Sequence, residues 1–180
     1  MKLLNTIKFV AAFYCAFINF STIIAYIKFT NFKCISLDKS FVDFRQCRLK
    51  ALSRNQVALS LSAKLYQVPV TNVGVNADVY KKANGYRPFM FNITTDFCRF
   101  IKYRKQTPFG KMILDAVEKY SNINHTCPYD HDIIIKDLVL ESKHLQSLPW
   151  PMGDYLLKIS FAVNNDWKVT VKSYIQVTEE

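Results

Sequence analysis

Apolar and polar residues alternate along most of the chain, and this alternation predicts β-strands. In the stretch VALSLSAKLYQV, the apolar residues from Val57 to Leu65 share one parity, whereas Ser60, Ser62 and Lys64 take the other. Successive side chains of a strand point to opposite faces, so one face of this strand should be buried. The stretches YIKFTNFKCISLD and FVDFRQCRLKAL alternate in the same way and predict an antiparallel pair of strands that precedes it.

A long hairpin is predicted next, with its turn at Asn84-Gly85, because this dipeptide tolerates the positive φ angles that a tight turn requires. Pro88 follows the turn and has no amide proton to donate, so the second strand should begin at a sheet edge or a bulge. Three more strands are predicted in DIIIKDLVL, GDYLLKISFAV and DWKVTVKSYIQV. An Asn-Asn-Asp turn at 164–166 separates the last two.

Helical periodicity is clear in one segment, TPFGKMILDAVEKYSN. Thr107 can cap this helix, Pro108 suits its first turn, and apolar residues recur from Phe109 to Tyr120 at helical spacing. The chain is therefore predicted to be all-β, an antiparallel sandwich of seven to eight strands with one α-helical insertion.

The N-terminal stretch MKLLNTIKFVAAFYCAFINFSTIIAYIKF has two lysines followed by an uncharged apolar run, which predicts a secretory signal peptide over residues 1–25, cleaved after Ala25. The alternative is a membrane anchor, because a helix over Phe9 to Ile27 would span roughly 28 Å, nearly a bilayer core. Asn19 and the polar residues after it favour cleavage. Residues 26–180 then form one domain with a single core.

The net charge is +10 for the full chain with histidine neutral. Loss of residues 1–25 removes two of the 24 basic residues and no acidic one, so 22 basic residues face 14 acidic ones, for a net charge of +8. Such a charge favours anionic partners at long range.

Five cysteines become four when Cys15 leaves with the signal peptide, and an even number in an oxidising compartment predicts two disulfides. Three pairings are possible. The sequence intervals favour Cys34 with Cys47 and Cys98 with Cys127, although sequence alone does not fix the connectivity.

The stretch NHTCPYDHD, residues 124–132, is dense in potential metal ligands. Zinc sites use three or four such ligands at motif spacing, and this stretch has no second ligand motif elsewhere to complete it. A disulfide at Cys127 also removes the only thiol that could act as a nucleophile there. Asp96 and Asp154 could be a hydrolase pair, but nothing in the sequence places them face to face. We therefore expect neither a metal, a cofactor nor an enzymatic activity.

Two sequons, Asn92-Ile-Thr and Asn124-His-Thr, lie in the mature region and predict N-glycosylation of an exported protein. A basic run lies near the predicted helix and comprises Arg99, Lys102, Arg104, Lys105 and Lys111. Because an exported protein rarely meets nucleic acid, the run is interpreted as a solvated connection or as a surface for an anionic headgroup or an acidic receptor.

Several segments resemble a large insect family of secreted proteins catalogued as a domain of unknown function: Asn31–Lys50, GYRPFMFNITTDFCRFI, SNINHTCPYDHDIII and LPWPMGDYLLKI. That family is similar to the chemosensory CheB proteins and more remotely to the lipid-recognition (ML) domains. The resemblance implies an immunoglobulin-like sandwich whose sheets splay to admit an apolar ligand. CheB relatives are implicated in gustatory detection of pheromones, so the resemblance also implies a chemosensory role. The signal peptide, the cysteines and the sequons predict an extracellular protein, and the expected partners are a hydrophobic ligand and a membrane receptor. The family pattern has no catalytic residues to carry over.

The leading hypothesis is thus a secreted protein that binds a hydrophobic small molecule, such as a lipid, hydrocarbon or pheromone-like ligand, between its sheets. The residues predicted to line the pocket are Leu59, Leu61, Phe89, Phe91, Met112, Ile113, Leu156 and Phe161. The alternative is a closed-core interaction module that binds a receptor or an acidic glycan through its basic surface.

Overall fold

The computed structural model describes residues 25–145 and 150–179. The predicted signal peptide therefore lies outside the described residues, apart from Ala25 at the start of the first strand. No helix in the described ranges has the length and apolar composition needed to cross a bilayer.

Two antiparallel sheets pack face to face, as the all-β prediction requires. The first sheet has five strands in the order β1-β8-β7-β4-β5, and the second has three in the order β2-β3-β6. The eight strands of the described residues are β1 (Ala25–Ser36), β2 (Val42–Ala51), β3 (Val57–Leu65), β4 (Val73–Ala83), β5 (Gly85–Asp96), β6 (Ile133–Val139), β7 (Gly153–Val163) and β8 (Asp166–Glu179).

The alternation in β3 has the predicted effect, since Leu59, Leu61 and Ala63 are buried against the opposite sheet. Ser60, of the other parity, is also buried, and its hydroxyl group is hydrogen-bonded to Asp137 on the neighbouring strand β6. The apolar face of β3 is therefore buried against the other sheet, and the buried hydroxyl group on its opposite face has a hydrogen-bond partner.

The prediction that the first two strands pair with each other was wrong. Strand β1 pairs with β8, and β2 pairs with β3, so the two consecutive strands belong to different sheets. The turn between them is closed by Asp38, and a disulfide between Cys34 and Cys47 links the sheets across the interior. The chain thus folds over one edge of the sandwich.

Both predicted hairpin turns are confirmed. Ala83 pairs with Gly85, and Gly85 has a φ of +93°, which a residue without Cβ adopts at little cost. The 164–166 turn uses Asn164 and Asn165 at φ of 51° and 65°. Pro88 lies on β5, an edge strand, where the pairing register with β4 shifts, as its missing amide proton predicts.

The helical insertion connects β5 to β6 and contains two helices where one was predicted. Helix α1 (Phe97–Lys102) begins at Asp96, whose carboxylate accepts a hydrogen bond from the Arg99 amide at 2.8 Å. A 3-10 turn at Arg104–Gln106 follows, and helix α2 (Pro108–Glu118) is the predicted helix. A second disulfide, Cys98–Cys127, ties α1 to the loop that leads into β6.

Candidate ligand cavity

A cavity of about 370 Å³ lies between the two sheets, with helix α2 along one side. Its lining is almost entirely apolar and comes from every element of the sandwich. Representative lining residues are Phe29 on β1, Leu61 on β3, Val75 on β4, Ile113 on α2, Ile135 on β6 and Val171 on β8. Protein interiors rarely contain voids much larger than a water molecule, so a space of this size is a candidate binding site.

Five of the eight predicted pocket residues lie in this lining, and three do not. The five are Leu59, Leu61, Met112, Ile113 and Phe161. The three outside it are Phe89, Phe91 and Leu156, and each is displaced for a physical reason.

Leu156 faces away from the cavity because it has the wrong parity in β7. Tyr155, Leu157 and Ile159 line the cavity, and Leu156 alternates with them. Two consecutive leucines leave the phase ambiguous in the sequence. The charge at Lys158, which pairs with Asp78 at 3.3 Å, would have identified the face that Leu156 shares.

Phe89 and Phe91 pack behind the lining instead of forming it. The Phe89 ring lies 5.6 Å from the ring of Tyr155, and the Phe91 ring lies 3.7 Å from that of Phe109, measured between centroids. Tyr155 and Phe109 themselves line the cavity. The two phenylalanines therefore support the cavity wall from a second layer.

Two residues of the lining, Thr107 and Trp150, each have a buried polar atom without a hydrogen-bond partner among the described residues, Oγ1 and Nε1 respectively. Neither residue was predicted to line a pocket. Thr107 was read as a helix cap, yet its side chain makes no capping bond. Trp150 lies between two prolines in the sequence of a connecting loop. A large aromatic residue at such a position was the only sequence feature that could have indicated a buried role for it.

The two tyrosine hydroxyl groups of the lining are already bonded to the backbone. Tyr155 donates to the Pro151 carbonyl and Tyr129 donates to the His125 carbonyl, each at 2.5 Å. Burial raises the pKa of Tyr129 to about 12 and also raises the pKa of Tyr155. Both rings therefore stay uncharged at physiological pH.

Lys168 is the one charged residue in the lining among the described residues, and it is held by two carboxylates. Its ammonium lies 2.8 Å from Asp38 and 2.6 Å from Asp166. The hydrogen bonds that Lys168 donates to Asp166 and Asp38 raise the pKa of Lys168, and the bond that Asp38 accepts from Lys168 is the main cause that lowers the pKa of Asp38 to about 2. Its charge is thus neutralised within the protein.

The histidine-rich stretch, residues 124–132, forms a loop beside the cavity: Tyr129 lines the cavity, whereas His125 and His131 do not. Cys127 is bonded to Cys98, which leaves two histidines and two aspartates as candidate ligands. The Nε2 atoms of His125 and His131 lie 2.9 Å apart. At that distance one imidazole donates to the other. The described ranges contain no group of three or more ligand-type side chains close enough to hold a metal ion. The His125 ring packs on Tyr129, with 4.6 Å between centroids.

The match to known proteins covers this part of the chain. Residues 75–157 match the family described as Protein of unknown function (DUF1091). The matched region includes the helical insertion, the Cys98–Cys127 disulfide and both residues with unpartnered polar atoms. No curated protein matches the chain.

The other predicted surface features fall outside the cavity. Asn92 and Asn124 are both exposed, as glycan acceptors must be. Asp96 caps α1, and Asp154 lies 3.3 Å from Lys82, so each carboxylate has a structural partner.

Two basic residues near α2 are paired with acids on the same insertion. Arg104 makes two hydrogen bonds to Glu118, at 2.9 and 2.8 Å, and Lys111 pairs with Asp115. The side chain of Lys105 is not among those described. The positive charge available for a partner on this surface is therefore smaller than the sequence suggested.

Proposed function

We propose that this protein is an exported binding protein for a hydrophobic small molecule. The ligand is held in the cavity between the two sheets. The observation that carries the proposal is the apolar cavity of about 370 Å³. An engineered apolar cavity of ~150 Å³ already binds benzene, so this one has room for a larger hydrocarbon.

The energetic argument favours an occupied cavity. Cavity-creating substitutions cost about 24 cal/mol per Å³, and at that slope 370 Å³ left unfilled would cost about 9 kcal/mol. The net stability of a domain is only about 5–15 kcal/mol. A ligand that fills the space would offset much of this cost and would gain about 0.8 kcal/mol for each CH₂ that it buries.

Export is supported by three features that agree with one another. Two disulfides are typical of oxidising compartments, the N-terminal stretch has the pattern of a signal peptide, and both mature-region sequons are exposed. The resemblance to insect CheB proteins and to ML domains supports extending the proposal to chemosensory detection of a lipid or pheromone-like ligand.

The first test is native mass spectrometry of the full-length chain exported from insect cells, followed by solvent extraction of any bound lipid. A stoichiometric apolar adduct is the expected result. A mass without adduct that does not change when fatty alcohols, sterols and hydrocarbons are offered would argue for the closed-core alternative.

Two neighbouring leucines provide a matched pair of variants. Leu157→Trp places an indole in the cavity and should abolish uptake of an apolar fluorescent probe, because it occupies the ligand's space. Leu156→Trp makes the same chemical change on the opposite face of β7 and should leave uptake intact. Equal loss in both folded variants would contradict the assignment of the cavity as the binding site.

A further inference from the structure

The outer face of the five-stranded sheet carries three lysines in one row across adjacent strands. Lys33 on β1 pairs with Lys172 on β8, and Lys172 pairs with Lys158 on β7. Residues paired in this way point to the same face of a sheet, with Cβ atoms about 5 Å apart. Their chain neighbours Ile159 and Val171 line the cavity, so this lysine row points away from it.

The lysine row is only partly neutralised by acids. Lys158 forms an ion pair with Asp78, the next residue in the row, at 3.3 Å. Neither Lys33 nor Lys172 takes part in an ion pair among the described residues. Like charges directly opposite each other destabilise a sheet, and no acidic side chain in the described ranges offsets the repulsion between these two lysines. An anion bound from solution would offset it.

This positive surface is more available to a partner than the basic run near α2. In that run, Arg104 and Lys111 are held by acids of the same insertion. In the lysine row, Lys33 is exposed on the edge strand β1, and Lys172 is partly exposed beside it. The uncompensated charge of the protein is therefore concentrated on the sheet face.

A second row beside the lysines supplies polar and aromatic side chains. Asn31, Tyr174, Leu156 and Tyr80 are paired in this order across β1, β8, β7 and β4, two positions along each strand from the lysine row. The Tyr174 ring meets the Tyr86 ring edge to face, with 5.7 Å between centroids, and this contact orients it. Because tyrosine combines an apolar ring with a polar hydroxyl group, it can pack on a sugar ring and bond to its hydroxyl groups.

The two rows lack an apolar anchor for a membrane. None of the large apolar residues that are exposed in the described ranges lies in either row. Proteins that lie on a membrane surface bury apolar side chains in the headgroup region in addition to pairing charges. The lysines also follow a single line across the strands, which suits a linear polymer better than a plane of headgroups.

We propose that the lysine row binds a linear acidic polysaccharide that carries sulfate or carboxylate groups. The anionic groups pair with Lys33 and Lys172 and extend to Lys158. The sugar rings lie along the neighbouring row, at Asn31 and Tyr174. This surface is on the side of the sheet opposite the cavity, so the inference does not rest on the proposed function.

The test measures binding of dextran sulfate and of uncharged dextran to the full-length exported protein at physiological ionic strength. The row variant, Lys33→Gln with Lys172→Gln, removes both unpaired charges. The control variant, Lys50→Gln with Lys136→Gln, removes two exposed lysines from the other sheet and lowers the net charge equally. We expect dextran sulfate but not dextran to bind, with a loss of about tenfold in affinity for the row variant and less than about twofold for the control.

The outcomes separate a specific surface from net charge and from a membrane. Equal losses in the two variants, or equal binding of dextran and dextran sulfate, would overturn the inference. Vesicles of phosphatidylcholine with phosphatidylserine are the third probe. If they bind wild type through the lysine row while dextran sulfate does not, the partner is a membrane and the inference is wrong.

Stability and ligand uptake provide two further readouts. The row variant should be at least as stable as wild type, because replacing Lys33 and Lys172 relieves their repulsion. Both variants should take up an apolar fluorescent probe as wild type does. Loss of polysaccharide binding with normal uptake supports the lysine row, and absence of uptake in wild type would instead count against the proposed function.

Discussion

The two sides of the sandwich are closed by different means. On the β1–β2 side, residues 25–51, the chain turns from β1 into β2, and β1 is hydrogen-bonded along β8. On the helical side, residues 97–132, two short helices and a loop connect β5 to β6, and side-chain packing is joined by isolated backbone bonds at Tyr120, Asn122 and Tyr129 instead of a continuous strand ladder. Each side carries one disulfide.

The difference assigns stability to one side and ligand recognition to the other. A continuous backbone ladder within a sheet opens only with extensive unfolding, whereas a segment joined by side-chain packing and a few isolated backbone bonds can open locally at lower free energy. The helical side also supplies helix α2, whose Met112 and Ile113 line the cavity. We therefore expect ligand affinity to depend more on the helical side than on the β1–β2 side.

Removing the disulfides is the strongest way to test this comparison. From loop closures of 13 and 29 residues, we expect losses of about 3 kcal/mol for Cys34→Ala with Cys47→Ala and about 3.6 kcal/mol for Cys98→Ala with Cys127→Ala. Denaturant unfolding measures both.

The two double variants should differ in ligand binding by more than they differ in stability. Loss of the bond at Cys98 should loosen the cavity wall and weaken binding of an apolar probe, whereas loss of the bond at Cys34 should not, at temperatures where both variants are folded. The reverse pattern would refute the division of roles between the two sides.

Gly110→Ala tests the packing of the helical side. Alanine is the better helix former by about 0.5–1 kcal/mol, but its Cβ would lie 2.7 Å from the Phe100 ring, and overpacking typically costs about 1–3 kcal/mol. We expect a net loss of about 1 kcal/mol in the free energy of unfolding. Gly74→Ala is the control, because its Cβ would meet only Ala162, at an ordinary 3.6 Å. A stabilised Gly110→Ala variant would show that the ring moves freely.

Local patterns in the sequence were sufficient for most elements of the fold. The period of two in β3, the Asn84-Gly85 turn and the apolar stripe of α2 each depend on interactions within a few residues. The residues that determine such features lie within the elements themselves, so a short stretch of sequence is enough to predict them. The same is true of Pro88, whose missing amide proton limits it to an edge or a bulge.

Long-range pairing was beyond what the sequence could predict. Strand β1 alternates in the same way whether it pairs with β2 or with β8, because the pattern records which face is buried and not which strand lies alongside. The phase of β7 failed for a related reason, since Leu156 and Leu157 are equally apolar. Thr107 and Trp150 went unrecognised because their unbonded state is a property of the folded packing.

The smallest expected effect concerns the β1–β2 side, where Asp38 accepts hydrogen bonds from Ser40 and Lys168. Its pKa is lowered from 3.8 to about 2, chiefly by the hydrogen bond from Lys168. A carboxyl group whose pKa is lower in the folded state stabilises the fold above its unfolded pKa and loses that contribution as the pH falls. Asp38→Asn should therefore lower the Tm near pH 6, and the difference from wild type should shrink between pH 4 and pH 2.

Asp130→Asn, at an exposed position on the helical side, is the matched control and should follow the wild-type pH profile. Because Asp38 holds a turn and a lysine at the cavity margin, its substitution should change stability without altering uptake of an apolar probe. A Tm difference that stays constant down to pH 2 would show that the turn depends on the shape of the Asp38 side chain and not on its charge.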